Sequence, residues 1–122
     1  KVFKERIVEG AGNLSGGQKQ RLSIARALVR KPDIYIYDDS FSALDMKTDA
    51  VLRQALKPEV KNAIVIIVAQ RVSTIMDADQ ILVLDEGRLA ASGRHEELLK
   101  TCPLYYEIAA SQLSEEELQN VC

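Results

Sequence analysis

Leu14-Ser15-Gly16-Gly17-Gln18 runs straight into Lys19-Gln20-Arg21-Leu22-Ser23-Ile24-Ala25-Arg26-Ala27-Leu28. After Lys31-Pro32-Asp33 the chain turns apolar at Ile34-Tyr35-Ile36-Tyr37 and acidic at Asp38-Asp39. This succession decides the fold class. Ser15 is a strong N-cap residue, because its hydroxyl accepts a hydrogen bond from a free N–H of the first helical turn. A helix is therefore expected from about Gly16 to Arg30, and Pro32 breaks the pattern behind it. The four apolar residues that follow do not alternate with polar ones, which suits a strand buried on both faces. Gly16 and Gly17 remove side chains where a ligand would approach, and the first-turn N–H groups with the helix dipole favour an anion there. Taken alone, the five residues fit an ordinary capped helix with a flexible entry better than a ligand site.

Working outward, a helix is expected over roughly Lys47 to Lys57, with Val51, Leu52, Ala55 and Leu56 on one side. Ala63 to Ala69 reads as a second apolar strand, and Gln70-Arg71-Val72-Ser73-Thr74 begins a short helix. Ile81-Leu82-Val83-Leu84, Asp85-Glu86-Gly87 and Arg88-Leu89-Ala90-Ala91 form a hairpin pattern, with Gly87 supplying the turn. Short helices are expected from Glu96 to Lys100 and from Leu104 to about Gln112, and Glu115-Glu116-Glu117 reads as a solvated end. Helix, strand, helix, strand, helix makes an α/β domain with a parallel sheet the default. Ligands of such sheets sit off the carboxyl ends of the strands, where Asp38, Asp39 and Gln70 fall.

The chain has 122 residues, 47% of them hydrophobic, and a net charge of −2. That is enough for one small domain with one core. It supplies no basic field for nucleic acid, so no nucleic-acid partner is expected. The longest apolar runs are strand-sized, well short of the roughly 20 residues a membrane-spanning helix needs. The opening Lys1-Val2-Phe3-Lys4-Glu5-Arg6 is polar, reads as loop and carries neither an initiator Met nor a signal-peptide pattern, so a piece of something longer is expected. Cys102 and Cys122 have no metal-ligand spacing, which fits a reduced, cytosolic setting.

Leu14 to Leu28, Ile34 to Asp45 and Val68 to Ile75 together resemble the nucleotide-binding domain of an ATP-binding cassette exporter. In order they look like its signature loop and helix, its magnesium-binding strand with the following acid, its D-loop Ser42-Ala43-Leu44-Asp45, and its switch loop. Ala78 to Arg88 and Gly93 to Leu99 also match the exporter type. The resemblance implies the carboxyl-terminal part of a P-loop NTPase sheet with flanking helices and a C-terminal β-hairpin, plus the signature helix of the helical subdomain. Residues 1–30 would carry the signature loop and helix, 31–92 the core sheet, and 93–122 the C-terminal helices and tail. It further implies ATP and Mg2+ as ligands. A second nucleotide-binding domain closing head to tail around two ATP molecules would be one partner, and a transmembrane domain the other. The domain would lie at the cytoplasmic face of the cell membrane. Ser15, Gly16 and Gly17 would contact the γ-phosphate held by the second domain, with Gln18 shaping the ribose side. Asp38 would hold magnesium through water at this chain's own nucleotide, and Asp45 would cross the dimer interface.

Three departures from the family pattern stand out. No Gly-x-x-x-x-Gly-Lys-Ser/Thr phosphate loop occurs in the 122 residues, so tight ATP binding by these residues alone is not expected. Asp39 stands where strongly hydrolytic members have Glu, which retracts the carboxylate by about 1.5 Å. Gln70, in Ala69-Gln70-Arg71, stands where the switch histidine is usual, and its amide donates a hydrogen bond but takes up no further proton or positive charge near neutral pH. The one histidine, His95, is placed as a helix-start residue. Both catalytic departures fall on this chain's own site, while the loop that serves the other site keeps the family pattern. The expected role is a degenerate-site subunit of a heterodimeric, multidrug-type exporter. Alternatives are a homodimeric exporter with two active sites, a soluble cassette ATPase of DNA repair or chromosome maintenance, and a structural fragment without catalysis.

Overall fold

The computed structural model describes residue 12 and residues 14–119; the Lys1–Arg6 loop and Cys122 noted above lie outside them. The chain divides into two compact units, Lys1–Ala69 and Gln70–Cys122, and each has its own hydrophobic cluster where the sequence reading expects one core. The two strands of each unit pair with each other, so each sheet organises its own apolar layer.

In the first unit α1 spans Gly16–Val29, β1 Ile34–Asp38, α2 Met46–Leu56 and β2 Ile64–Val68. The two strands are parallel, with Ile34 opposite Ile64, Ile36 opposite Ile66 and Asp38 opposite Val68. Helix α1 turns Ile24, Ala27 and Leu28 inward, the i, i+3, i+4 stripe of an amphipathic helix. They pack with Tyr35, Tyr37, Phe41, Leu44 and Leu56. Tyr37 stacks against Tyr35 at 6.0 Å between ring centroids and meets Phe41 edge-on at 5.5 Å.

Two expectations need correction here. Strand β1 is buried on one face, not both: Tyr35 and Tyr37 are each 4% exposed, whereas Ile34 and Ile36 are 51% and 66% exposed. Side chains alternate across a strand, and Ile64, Ile66 and Val68 share the exposed face. An apolar run hides this alternation because both faces carry apolar side chains. On α2 the inward line is Asp49, Leu52 and Leu56, while Val51 and Ala55 face solvent. The buried Asp49 carboxylate is paired with Arg53 Nε at 2.7 Å.

In the second unit α3 spans Val72–Ile75, β3 Ile81–Asp85, β4 Arg88–Gly93, α4 His95–Thr101, α5 Pro103–Gln112 and α6 Glu115–Gln119. Strands β3 and β4 form the expected antiparallel hairpin. Glu86 and Gly87 both have positive φ, 46° and 75°, as the two central residues of a type I′ turn require. Ile81 and Val83 face Val72, Leu98, Cys102, Tyr105, Ala109 and Leu113. The acidic tail is helical where the sequence reading expects only a solvated end. Ser114 Oγ accepts from Glu117 N–H at 3.3 Å and the Glu117 carboxylate accepts from Ser114 N–H at 2.7 Å, a reciprocal capping box. Leu118 then packs against the core of this unit. Among the described residues no helix is long and apolar enough to cross a membrane.

Candidate functional site

The amino end of α1 is closed by a reciprocal cap. Ser15 lies in extended conformation, φ −68° and ψ 161°, and its Oγ accepts from Gln18 N–H at 3.2 Å. Gln18 Oε1 accepts from Ser15 N–H at 2.9 Å. The Gln18 side chain expected at a ribose therefore also completes the cap. No acidic residue sits in the first turn. The first turn itself thus adds no negative charge to the positive end of the helix dipole. The N–H groups of Gly16 and Gly17 point out of the first turn without a partner inside the helix, as at every helix start.

The glycines answer to a second demand. A Cβ at Gly16 would come within 3.3 Å of Ala43 Cβ, and one at Gly17 within 3.2 Å of Leu44 Cδ2 and 3.3 Å of Ala43 O. The signature end of α1 lies directly on the Ser42-Ala43-Leu44 turn. A side chain at either position would need Ala43 or Leu44 to give by a few tenths of an ångström, so glycine suits the close approach of the chain's own turn.

Asp39 is held by its backbone. Its φ is 53°, in the left-handed region that Asp tolerates better than most residues. Its N–H donates to Val68 O at 2.9 Å. Its carbonyl accepts from Gln20 Nε2 at 3.0 Å and from Ser42 Oγ at 3.2 Å. The Asp39 carboxylate is exposed and no hydrogen bond among the described residues holds it. Asp38 is exposed at the carboxyl end of β1, on the face of Ile34 and Ile36.

Asp45, expected at a domain interface, is also the N-cap of α2. Its carboxylate accepts from Thr48 N–H at 2.8 Å and Thr48 Oγ1 at 2.7 Å. Those bonds, the backbone one foremost, hold its carboxyl below the ordinary carboxylate range. Gln70 opens the second unit and is exposed. Gln112 Nε2 donates to its carbonyl at 2.9 Å while Gln112 Oε1 accepts from Val72 N–H at 2.8 Å. One amide from α5 thus pins the start of α3. Gln20 and Gln112 escaped the sequence reading because their partners lie 19 to 42 residues away. His95, 2% exposed, begins α4 as expected, and its Nδ1 lies 2.6 Å from Tyr105 Oη. Burial, and then the nearby charge of Glu96, push the Tyr105 hydroxyl up to about 12.

The described residues include no cluster of three His, Cys, Asp or Glu side chains fit to hold a metal. A single exposed carboxylate such as Asp38 fits magnesium of the kind that keeps most of its waters and takes its other ligands from phosphate. Ser15 with the Gly16 and Gly17 amides fits an anionic phosphate group.

The ABC transporter family profile matches residues 1–42. An ABC transporter ATP-binding protein of Mycobacterium tuberculosis (strain H37Rv) is 50% identical over 110 residues, 90% of this chain and 19% of that protein. A putative export ATP-binding/permease protein of Rickettsia felis is 47% identical over 109 residues, 89% of this chain and 19% of that protein. The ATP-dependent lipid A-core flippase of Chromobacterium violaceum is 45% identical over 109 residues, again 89% and 19%. The structure of a bacterial Atm1-family ABC exporter with ATP bound superposes with a TM-score of 0.81 at 45% identity, covering 86% of this chain and 18% of that one. The chain thus spans about a fifth of the length of the curated relatives it matches. The signature loop on its capped helix, the acid-ended parallel strand and these likenesses agree, and the chain belongs to the ABC transporter family as the carboxyl-terminal part of an exporter-type ATP-binding domain.

Proposed function

We propose that this chain serves an exporter in which two nucleotide-binding domains close head to tail around two ATP molecules, and that its own ATP site is the weak one of the pair. Ser15 and the amides of Gly16 and Gly17 bind the γ-phosphate of ATP held by a second, different subunit, and Gln18 borders the ribose. Asp45 reaches across the interface between the domains. At the chain's own nucleotide Asp38 holds magnesium through water. When bound, that ion supplies charge neutralisation to the phosphates. Domain closure drives an attached transmembrane domain to release substrate, with this domain at the cytoplasmic face of the cell membrane.

The observation that carries the weak-site reading is the way Asp39 is held. A general base must come within hydrogen-bond reach of the attacking water, and aspartate starts about 1.5 Å short of glutamate. A backbone shift could recover that reach only by giving up the bonds to Val68 O, Gln20 Nε2 and Ser42 Oγ. Each is worth about 0.5–1.5 kcal/mol. The carboxylate is therefore left short, and a misplacement of about 1 Å costs on the order of a hundredfold in rate. Gln70 adds a second deficit, since it donates a hydrogen bond to a γ-phosphate without a positive charge.

The test is a gain of function in the full-length transporter assembled with its partner. Asp39→Glu combined with Gln70→His restores both groups and raises ATP turnover toward twice the wild-type value, as a second working site comes into play. Turnover unmoved by the pair, or lowered by it, contradicts the reading. The 122 residues by themselves bind ATP weakly, since they include no Gly-x-x-x-x-Gly-Lys-Ser/Thr cradle. Micromolar affinity in calorimetry on these residues alone would contradict that.

A further inference from the structure

Gln20 lies one helical turn beyond Gly16, on the same face of α1. Its side-chain amide is used at both ends. Nε2 donates to Asp39 O at 3.0 Å and to Ser42 Oγ at 3.1 Å, and Oε1 accepts from Ala43 N–H at 2.9 Å. The orientation of the amide is fixed by chemistry: a main-chain N–H needs the oxygen and a main-chain carbonyl needs the nitrogen. Ser42 Oγ closes the ring by donating to the same Asp39 carbonyl. One turn earlier, a Cβ at Gly16 or Gly17 would crowd Ala43 and Leu44, so the glycines let the helix end lie close to the turn. One side chain thereby joins the helix that offers the phosphate contact to the turn that carries Asp39.

We propose that Gln20 is a positioning residue that locks the signature end of α1 to the Asp39–Leu44 turn, so that the phosphate contact lent to one ATP and the Asp39 backbone at the other move as one piece. The inference rests on the function proposed above, in which the two ends of this clamp face two different nucleotides. The one Gln20 amide bonds to both Asp39 and Ala43. Methionine at this position keeps the length of the side chain and discards every one of its hydrogen bonds. The close approach at Gly16 and Gly17 remains, but the amide's bonds to Asp39, Ser42 and Ala43 are lost.

The test uses the full-length transporter with its partner subunit, steady-state ATP turnover as a function of ATP concentration, and thermal unfolding as a control. Gln20→Met is expected to lower kcat on the order of tenfold, the scale of a sub-ångström misplacement. KM for ATP changes less than threefold, and the Hill coefficient for ATP moves toward one as the two sites lose their rigid link. Ser42→Ala removes one arm of the ring and lowers kcat two- to threefold. Added to Gln20→Met it causes no further loss, because both act on the same carbonyl. Should Gln20→Met fail to assemble, Ser42→Ala alone decides, and an unchanged kcat and Hill coefficient overturn the proposal. A rise in KM with unchanged kcat overturns it too. Ser15→Asp separates this proposal from the one beneath it. If Ser15→Asp abolishes turnover while Gln20→Met and Ser42→Ala do nothing, the clamp is wrong and the phosphate contact stands. If Ser15→Asp also does nothing, the head-to-tail reading itself fails.

Discussion

On the function proposed above, the signature end of α1 and the acid-ended strand β1 both meet phosphate chemistry, yet they use different parts of the chain. At Ser15–Gln18 the working groups are main-chain N–H groups and one hydroxyl, and a local capping box fixes them. At Asp39 the main chain is fixed just as firmly, by Val68, Gln20 and Ser42, but the working group is a side chain that extends beyond that frame. The first arrangement tolerates any sequence that keeps the helix start and the glycines. On the proposed reading the second depends on side-chain length, where one methylene changes the reach of the carboxylate. On the proposed reading, rigidity preserves the one contact and keeps the carboxylate short at the other.

Gly17→Ala tests the first half of that contrast most severely. The new methyl meets Leu44 Cδ2 and the Ala43 carbonyl at 3.2 and 3.3 Å. Overpacking costs about 1–3 kcal/mol, and the helix gains about 1 kcal/mol from losing a glycine. Stability therefore shifts by less than about 2 kcal/mol, while turnover falls on the order of tenfold as the helix end is pushed off the turn. Turnover close to wild type would mean that the close approach of α1 to Ala43 has no functional weight.

The second unit supplies a control outside both regions. Tyr105 is buried against His95, and its hydroxyl is raised to about 12 from an ordinary 10.0. The sign is that of a group kept protonated by folding: its contribution is whole below pH 10 and is lost as the pH rises through 12. Alkaline unfolding of the wild type should therefore lose about 2–3 kcal/mol across that window. In Tyr105→Phe that loss disappears, and turnover per folded molecule stays as it was. A fall in turnover comparable to that of Gly17→Ala would show that general loosening, not the α1 contact, controls rate.

Ser15→Ala sharpens the comparison at a smaller scale. Removing the cap hydroxyl leaves Gln18 N–H unpaired and costs about 1 kcal/mol in thermal or urea unfolding. Asp45→Ala has the smallest effect, a modest loss of α2 stability at neutral pH. The folded carboxyl of Asp45 lies below its ordinary 3.8. Its stabilisation is therefore present above that value and fades as the pH falls through the lowered one. Wild type and variant should converge at low pH, and divergence there would contradict the capping role.

Much of this was legible in the sequence because local rules carry it. Ser15 marks the start of α1, Glu86-Gly87 marks the hairpin turn, and Asp38-Asp39 marks the end of β1. The Ser114-x-x-Glu117 capping box was equally local, and the acidic run beside it concealed it. Gln20 could not be read in advance, since its three partners come from a turn about 20 residues on and only folding brings them together. Nor could the one-sided burial of β1, where isoleucines and tyrosines give no polar face to betray the alternation. The conformation of Asp39 was hidden for a similar reason: Asp tolerates a left-handed φ, but the bonds from β2 and α1 that accompany it come from distant residues.

The most direct measurement sets two single substitutions side by side in the assembled transporter, Ser15→Asp and Asp39→Asn. Aspartate keeps the helix cap, and it places a carboxylate where the proposed function puts a γ-phosphate. That repulsion is on the order of 4 kcal/mol at about 4 Å near a protein surface. The account predicts that Ser15→Asp lowers ATP turnover a hundredfold or more and that Asp39→Asn lowers it less than twofold. Equal and severe loss from both would contradict the account, because it would make Asp39 a working catalytic base.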